Sequence, residues 1–140
     1  MTMKKLLVLV VFAALAQAGY SQVAASAATA APKADLAVFE TTSLTHDFGK
    51  IKQSVPVTHE FKFTNKGKVP MVITNVAASC GCTTPDWTRD PIMPGGEGFV
   101  KATYNAASPG AFNKTVTVTS NIENGFVQLF IKGEVAPVVQ

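Results

Sequence analysis

The chain has 140 residues, with 12 Lys and Arg against 9 Asp and Glu, for a formal charge of +3. Lys4 and Lys5 belong to an N-terminal stretch with the marks of a leader, and without them the balance is 10 against 9. Near-neutral charge, with no cluster of Lys and Arg interleaved with aromatics, argues against nucleic acid and anionic membrane surfaces as partners.

Met1–Lys5 is a short cationic start, Leu6–Ala16 an unbroken apolar run of 11 residues, and Ala16-Gln17-Ala18 a small-x-small cleavage site, with Ser21-Gln22 a second. At about 1.5 Å of rise per helical residue this run falls well short of a ~30 Å hydrocarbon core. Residues 1–18 therefore read as a cleaved secretory signal peptide, and no cysteine near the cleavage site suggests a lipoprotein. The expected location is the periplasm or the secreted space of a bacterium, with nothing spanning the membrane once the leader is cut. Residues 19–35, mostly Ala with Ser, Thr and Pro32, have neither charge pairs nor an apolar face and read as a flexible spacer. Residues 36–140 are then one domain, roughly 100 residues long and of ordinary size.

From Leu36 onward the hydrophobic period is two. Ala37–Thr42 and Asp47–Ile51 predict an edge strand broken in two. Val57–Thr64 alternates with Phe61 and Phe63 inward, Asn65–Lys68 is a turn, and Val69–Val76 begins the next strand. Phe99–Tyr104 places Val100, Ala102 and Tyr104 on one face, and Thr115–Thr119 alternates cleanly. After the turn Asn121–Gly125, the residues Val127, Leu129, Ile131, Gly133 and Val135 share a face. About seven short strands with no amphipathic helix predict an all-β fold, an immunoglobulin-like antiparallel β-sandwich. The Cys…Trp…Cys spacing of antibody domains is missing, because the cysteines are two residues apart and Trp87 follows both.

Several local patterns form a set in this order: His46-Asp47-Phe48-Gly49-Lys50-Ile51, Phe61-Lys62-Phe63-Thr64-Asn65-Lys66-Gly67, Ser79-Cys80-Gly81-Cys82-Thr83, Pro94-Gly95-Gly96, Gly110-Ala111-Phe112 and Ser120-Asn121. Together they resemble the bacterial family known as domain of unknown function 1573, over about Leu44 to Val135. The resemblance implies a sandwich akin to the immunoglobulin-like domains of hydin-type cilia proteins, an envelope setting such as that of Bacteroidetes, and a binding or scaffolding role. It implies no assigned activity.

Cys80-Gly81-Cys82 is the most unusual feature. Residues i and i+2 of a strand lie ~6.6 Å apart and point to opposite faces, so a disulfide there needs a tight turn, which Gly81 permits. Such a bridge would close a very small ring, add little loop-entropy stabilisation and be easily reduced. Three readings stay open: a disulfide, two thiols at a sharp bend, or a soft-metal or thiol-redox site drawing on Met71 or Met93. A closed zinc site would need His46 and His59, which read instead as an edge residue bonded locally and a half-buried sheet residue.

No catalytic pattern appears. There is no G-x-S-x-G, H-E-x-x-H or phosphate loop, and Pro94–Gly98 reads as the turn feeding the next strand. Asp86 and Asp90 lack the further oxygen ligands of a calcium site. The long segment Ser79–Met93 reads as a loop, with Cys80, Cys82, Thr83, Thr84, Trp87 and Arg89 as candidate partner-binding residues and Trp87 as either an anchor or a lid over the core. An exposed sheet edge is a second route to a partner. The expectation is a non-catalytic binding or scaffolding module for an envelope protein, without a cofactor, against the alternative of a soft-metal or thiol-redox protein.

Overall fold

The computed structural model describes residues 35–139. The expected signal peptide (1–18) and the expected spacer, apart from Asp35, lie outside the described residues. Within them are eight strands: β1 (Phe39–Glu40), β2 (Thr45–Lys52), β3 (Val57–Asn65), β4 (Ile73–Ala78), β5 (Thr83–Trp87), β6 (Glu97–Tyr104), β7 (Gly110–Ser120) and β8 (Phe126–Ala136). Two four-stranded sheets result, in the orders β1-β3-β6-β5 and β2-β8-β7-β4. Every pairing is antiparallel except β2 with β8. The described residues contain no helix, hence none long and apolar enough to cross a membrane.

The expected sandwich is thus present, with the broken first strand serving both sheets and an eighth strand, β5, in the segment read as a loop. β1 pairs with β3, and the chain then crosses to run as β2 beside β8. Thr41 steadies the crossing by donating its hydroxyl to the Lys62 carbonyl at 2.8 Å. The two inner faces follow the period-two reading: Phe61, Phe63, Val100, Ala102 and Tyr104 from one sheet meet Val116, Val118, Leu129, Ile131 and Val135 from the other, all buried. Each such Val, Leu or Phe side chain contributes about 1.5–3 kcal/mol by leaving water. Tyr104 stacks on Phe112 at 4.0 Å between centroids, and Phe39 on Phe63 at 4.2 Å, which ties the two-residue β1 to the core.

Asn65, expected in a turn, ends β3 with no exposure at all. Its Nδ2 donates to the Val69 and Ile92 carbonyls at 2.8 and 2.9 Å. Its Oδ1 accepts the Val38 and Gly67 amides at 3.2 and 3.0 Å. One amide side chain thereby satisfies four backbone groups from the segments before β1, after β3 and before β6. Asn121 acts similarly, accepting from the Val72 amide at 2.8 Å and donating to the Pro70 carbonyl at 2.9 Å. With those groups engaged and Met71 bridged to Ile92, β4 begins at Ile73 rather than Val69.

The larger difference from the sequence reading concerns Ser79–Met93. Its middle is not a loop but β5, the edge strand beyond β6. Pro85 disguised it, since proline removes a donor from a strand. The Asn105 amide donates to the Cys82 carbonyl at 2.9 Å and the Thr88 amide to the Phe99 carbonyl at 3.1 Å, so even-numbered residues of β5 face β6. Pro85 therefore faces away from the ladder, and its missing N–H costs no pairing.

Candidate functional site

Cys80-Gly81-Cys82 forms the turn from β4 into β5. The two sulfurs are joined across a Cα separation of 5.3 Å. Both cysteines are half-buried, Gly81 is exposed, and apart from Cys80 and Cys82 no residue comes within 4 Å of where a Gly81 Cβ would project. Thr83 closes the turn: its amide donates to the Cys80 carbonyl at 3.3 Å, and its hydroxyl lies 3.9 Å from the Cys80 sulfur. Thr83 is buried, so this candidate contact residue holds the turn and offers nothing to a partner. Thr84 is exposed, on the opposite face of the strand.

Trp87 ends β5 half-buried, packed against the core along one side. Arg89 covers the other side, with its guanidinium carbon 3.5 Å from the ring centroid and its Nη2 3.7 Å from Asp86 Oδ1. Of the two roles weighed for it, Trp87 takes that of a lid over the core, with Arg89 stacked on its ring. The ring cannot swing without leaving the core, so the Trp87–Arg89 stack is a preformed, largely apolar surface with one charged tip.

The outward amides of β5 are all withdrawn from pairing. Thr83 donates its own to Cys80, Pro85 has none, and Trp87 donates to Asp86 Oδ1 at 2.9 Å. This edge is closed to an added strand, one of the ways sheet edges avoid indiscriminate association. A partner meeting β5 must therefore recognise side chains, namely Thr84, Trp87 and Arg89.

The other groups considered for chemistry do not converge on the cysteines. Met71, fully buried, and Met93, exposed, lie at the far end of β4, where Met71 bridges to Ile92. His46 and His59 lie on β2 and β3. Among the described residues no three His, Cys, Asp or Glu side chains come together as a metal set. A depression of about 410 Å³ over β2, β7 and β8 is rimmed by Asp47, Lys50, Lys132 and Glu134, with no Ser, Thr, Cys or His among its lining residues.

The histidines hold a different surprise. Instead of bonding locally, His46 stacks on His59 across the seam between the sheets, with centroids 3.6 Å apart and planes within 6°. Phe48 meets His46 edge-on at 4.6 Å, and Phe61 meets His59 at 4.6 Å. Burial holds the His59 pKa below the usual imidazole value; His46 adds to that shift and Glu60 opposes it. Period two places each histidine on a strand face, but nothing in the sequence brings residues of different sheets into register.

Comparison with known proteins adds a fold and a family. The family described as "Protein of unknown function (DUF1573)" matches residues 39–135. A protein of unknown function from Porphyromonas gingivalis W83 is similar in structure, with TM-score 0.65 and 19% identity; the match covers 76% of this chain and 50% of that one. The chain thus spans about half the length of that protein. The PapD-like domain 7 of human CEP192 is similar with TM-score 0.60 and 8% identity, over 72% of this chain and 87% of that one. The VesB protease of Vibrio cholerae gives TM-score 0.56 and 12% identity over 71% of this chain but only 32% of the protease. At such identities these likenesses concern the fold alone. No curated protein matches the chain.

Proposed function

Because the chain belongs to the DUF1573 family, which brings no activity with it, we propose from the geometry that it is a non-catalytic binding and scaffolding module. It works outside the cytoplasm, as the leader-like N-terminus suggests, and its partner is an envelope protein. The Trp87–Arg89 stack on a closed edge carries the proposal. Trp and Arg are the residue types that most often dominate protein interfaces, and a ring already fixed against the core loses little freedom on binding. Closing the β5 amides leaves side chains as the means of recognition, which favours one partner over many.

The test is capture from envelope extracts of the source cells by the purified protein, with Trp87→Ala and Arg89→Ala alongside. The wild type should retain a specific protein, and Trp87→Ala should weaken retention at least about tenfold, as expected for a hot-spot residue. Equal retention by folded wild type and Trp87→Ala, or none by either, defeats the proposal.

A second reading keeps one observation in its favour. The joined Cys80 and Cys82 flank an exposed glycine with open space above it, so an incoming thiolate could reach the bridge. A thiol–disulfide role would require the pair to equilibrate with glutathione at a compartment-like potential. Inert cysteines over that range dismiss it.

A further inference from the structure

The opposite edge of the same sheet is left open. The Asn65 amide donates to the Gly96 carbonyl at 2.9 Å and the Lys66 amide to the Val38 carbonyl at 2.9 Å, so odd-numbered residues of β3 face β6 and even-numbered ones face outward. β1 covers β3 only at Asn65 and Thr64 before crossing to the other sheet. Beyond that point the outward amides of Thr58, Glu60 and Lys62 have no hydrogen-bond partner among the described residues, and of their carbonyls only that of Lys62 takes a side-chain donor, Thr41.

β2 is interrupted. The Phe130 amide donates to the Leu44 carbonyl at 2.7 Å, so ahead of the bulge between Asp47 and Lys50 the odd residues of β2 face outward; beyond it the Gln53 amide donates to the Ala136 carbonyl at 3.1 Å, so there the even ones do. The Thr45 amide donates to Ser43 Oγ at 3.2 Å and the Gly49 amide to Asp47 Oδ1 at 2.8 Å, which leaves the Asp47 amide open on one side of the bulge and those of Lys50 and Lys52 on the other. β4 offers two outward amides, Val76 and Ala78, before the Cys80–Cys82 turn. An open run of three evenly spaced donors on one unbroken strand, where β5 offers no free donor, β2 is broken by a bulge and β4 stops after two, is a template for one more strand.

We infer that the free edge of β3, residues 57–62, docks an extended segment of another protein by strand addition. The same edge of a second copy does not fit. Pairing β3 with itself about Glu60 sets Glu60 against Glu60, like charges directly opposed. Shifting the register to set Glu60 against Lys62 brings Thr58 of the copy onto Thr64, a position β1 already occupies through Glu40. The opposite shift places Pro56, which has no N–H, across from Lys62. No other strand edge among the described residues of a copy offers an unbroken run of matching length, so the guest is foreign. It alternates, with apolar side chains facing inward beside Phe61 and His59 and polar ones outward. Opposite Lys62 it carries an acidic residue, because Lys101 approaches Glu60 at 3.3 Å, while Lys62 stands 3.9 Å away and is 78% exposed. This edge lies across the sheet from Trp87 and does not depend on the role proposed for that residue.

Residue-resolved amide exchange on the purified full chain tests the inference. In the isolated protein Thr58, Glu60 and Lys62 should exchange fast while His59 and Phe61, whose amides face β6, are protected. The probe is the synthetic peptide Thr-Val-Asp-Val-Thr-Val at millimolar concentration, with a copy N-methylated at alternate residues as control. The plain peptide should slow the three amides by about tenfold or more, and the methylated one should not. Glu60→Pro removes an outward N–H that the β3–β6 ladder does not use and should abolish the effect; should it misfold, the methylated peptide still decides. Protection of the three amides already present in the isolated chain, protection that grows with protein concentration alone, none with the peptide, or protection of Val76 and Ala78 in their place would each overturn the inference.

Discussion

Removing the Asn65 side chain should cost this domain a large share of its stability. Asn65→Ala deletes four hydrogen bonds, to the Val38 and Gly67 amides and to the Val69 and Ile92 carbonyls. Only the Ile92 bond is fully buried; the other three lie where water can partly replace them. A buried group left unpaired costs about 1–3 kcal/mol and each of the three replaceable bonds about 0.5–1.5 kcal/mol, so the sum lies between about 2.5 and 7.5 kcal/mol. Total stability for such a domain is about 5–15 kcal/mol. Urea unfolding followed by tryptophan fluorescence should show the midpoint falling by about 2 M for a slope near 1–3 kcal/mol per M. Asn65→Asp is the sharper variant, since it keeps the shape but replaces two donated bonds with a carboxylate facing two carbonyls. It should be no more stable than Asn65→Ala. A loss below about 1 kcal/mol in both would refute the reasoning, because one ordinary hydrogen bond would then account for the whole effect.

Gly67→Ala should destabilise by about 1–3 kcal/mol, the usual cost of overpacking. Its Cβ would lie 2.5 Å from the Leu36 carbonyl oxygen and 2.7 Å from Ala37 Cα, backbone that cannot turn aside, and a chemical melt against wild type measures the cost. Stability should fall as pH drops through about 6.5, because His59 is held below its ordinary pKa in the fold and the unfolded chain takes up the proton first. His59→Gln should flatten that slope, and an unchanged pH profile would remove His59 from the account. Reducing Cys80–Cys82 opens a loop of only three residues, so the loop-entropy estimate limits the loss to about 1.6 kcal/mol. Thermal melts with and without reductant check it, and a larger drop would mean that the turn itself depends on the bridge.

Much of the core was legible because burial in a sheet is written at period two. Phe61, Phe63, Val100, Ala102 and Tyr104, with Val127, Leu129, Ile131, Gly133 and Val135, can be assigned an inner face without knowing what they touch, and all but Val127 and Gly133 are buried. β5 was missed for a local reason: Pro85 signals a loop unless one knows that its nitrogen faces an edge. The role of Asn65 was missed for a distant one, since its partners lie up to 27 residues away.

The sequence alone determined the all-β class, the inward face of most strands, and the family resemblance, because these rest on alternation and on short motifs read within one segment. Only the tertiary structure decided which edges are open. Strand order, backbone parity and the direction of each free amide depend on which segments become neighbours. Trp87 lies between Arg89 and the core, and beyond Thr64 the edge of β3 is uncovered among the described residues because β1 leaves after two residues. Cys80 and Cys82, the feature that drew notice first, form the turn between the end of β4 and the start of β5. The contrast between the capped β5 edge and the open β3 edge could not be read before the fold existed.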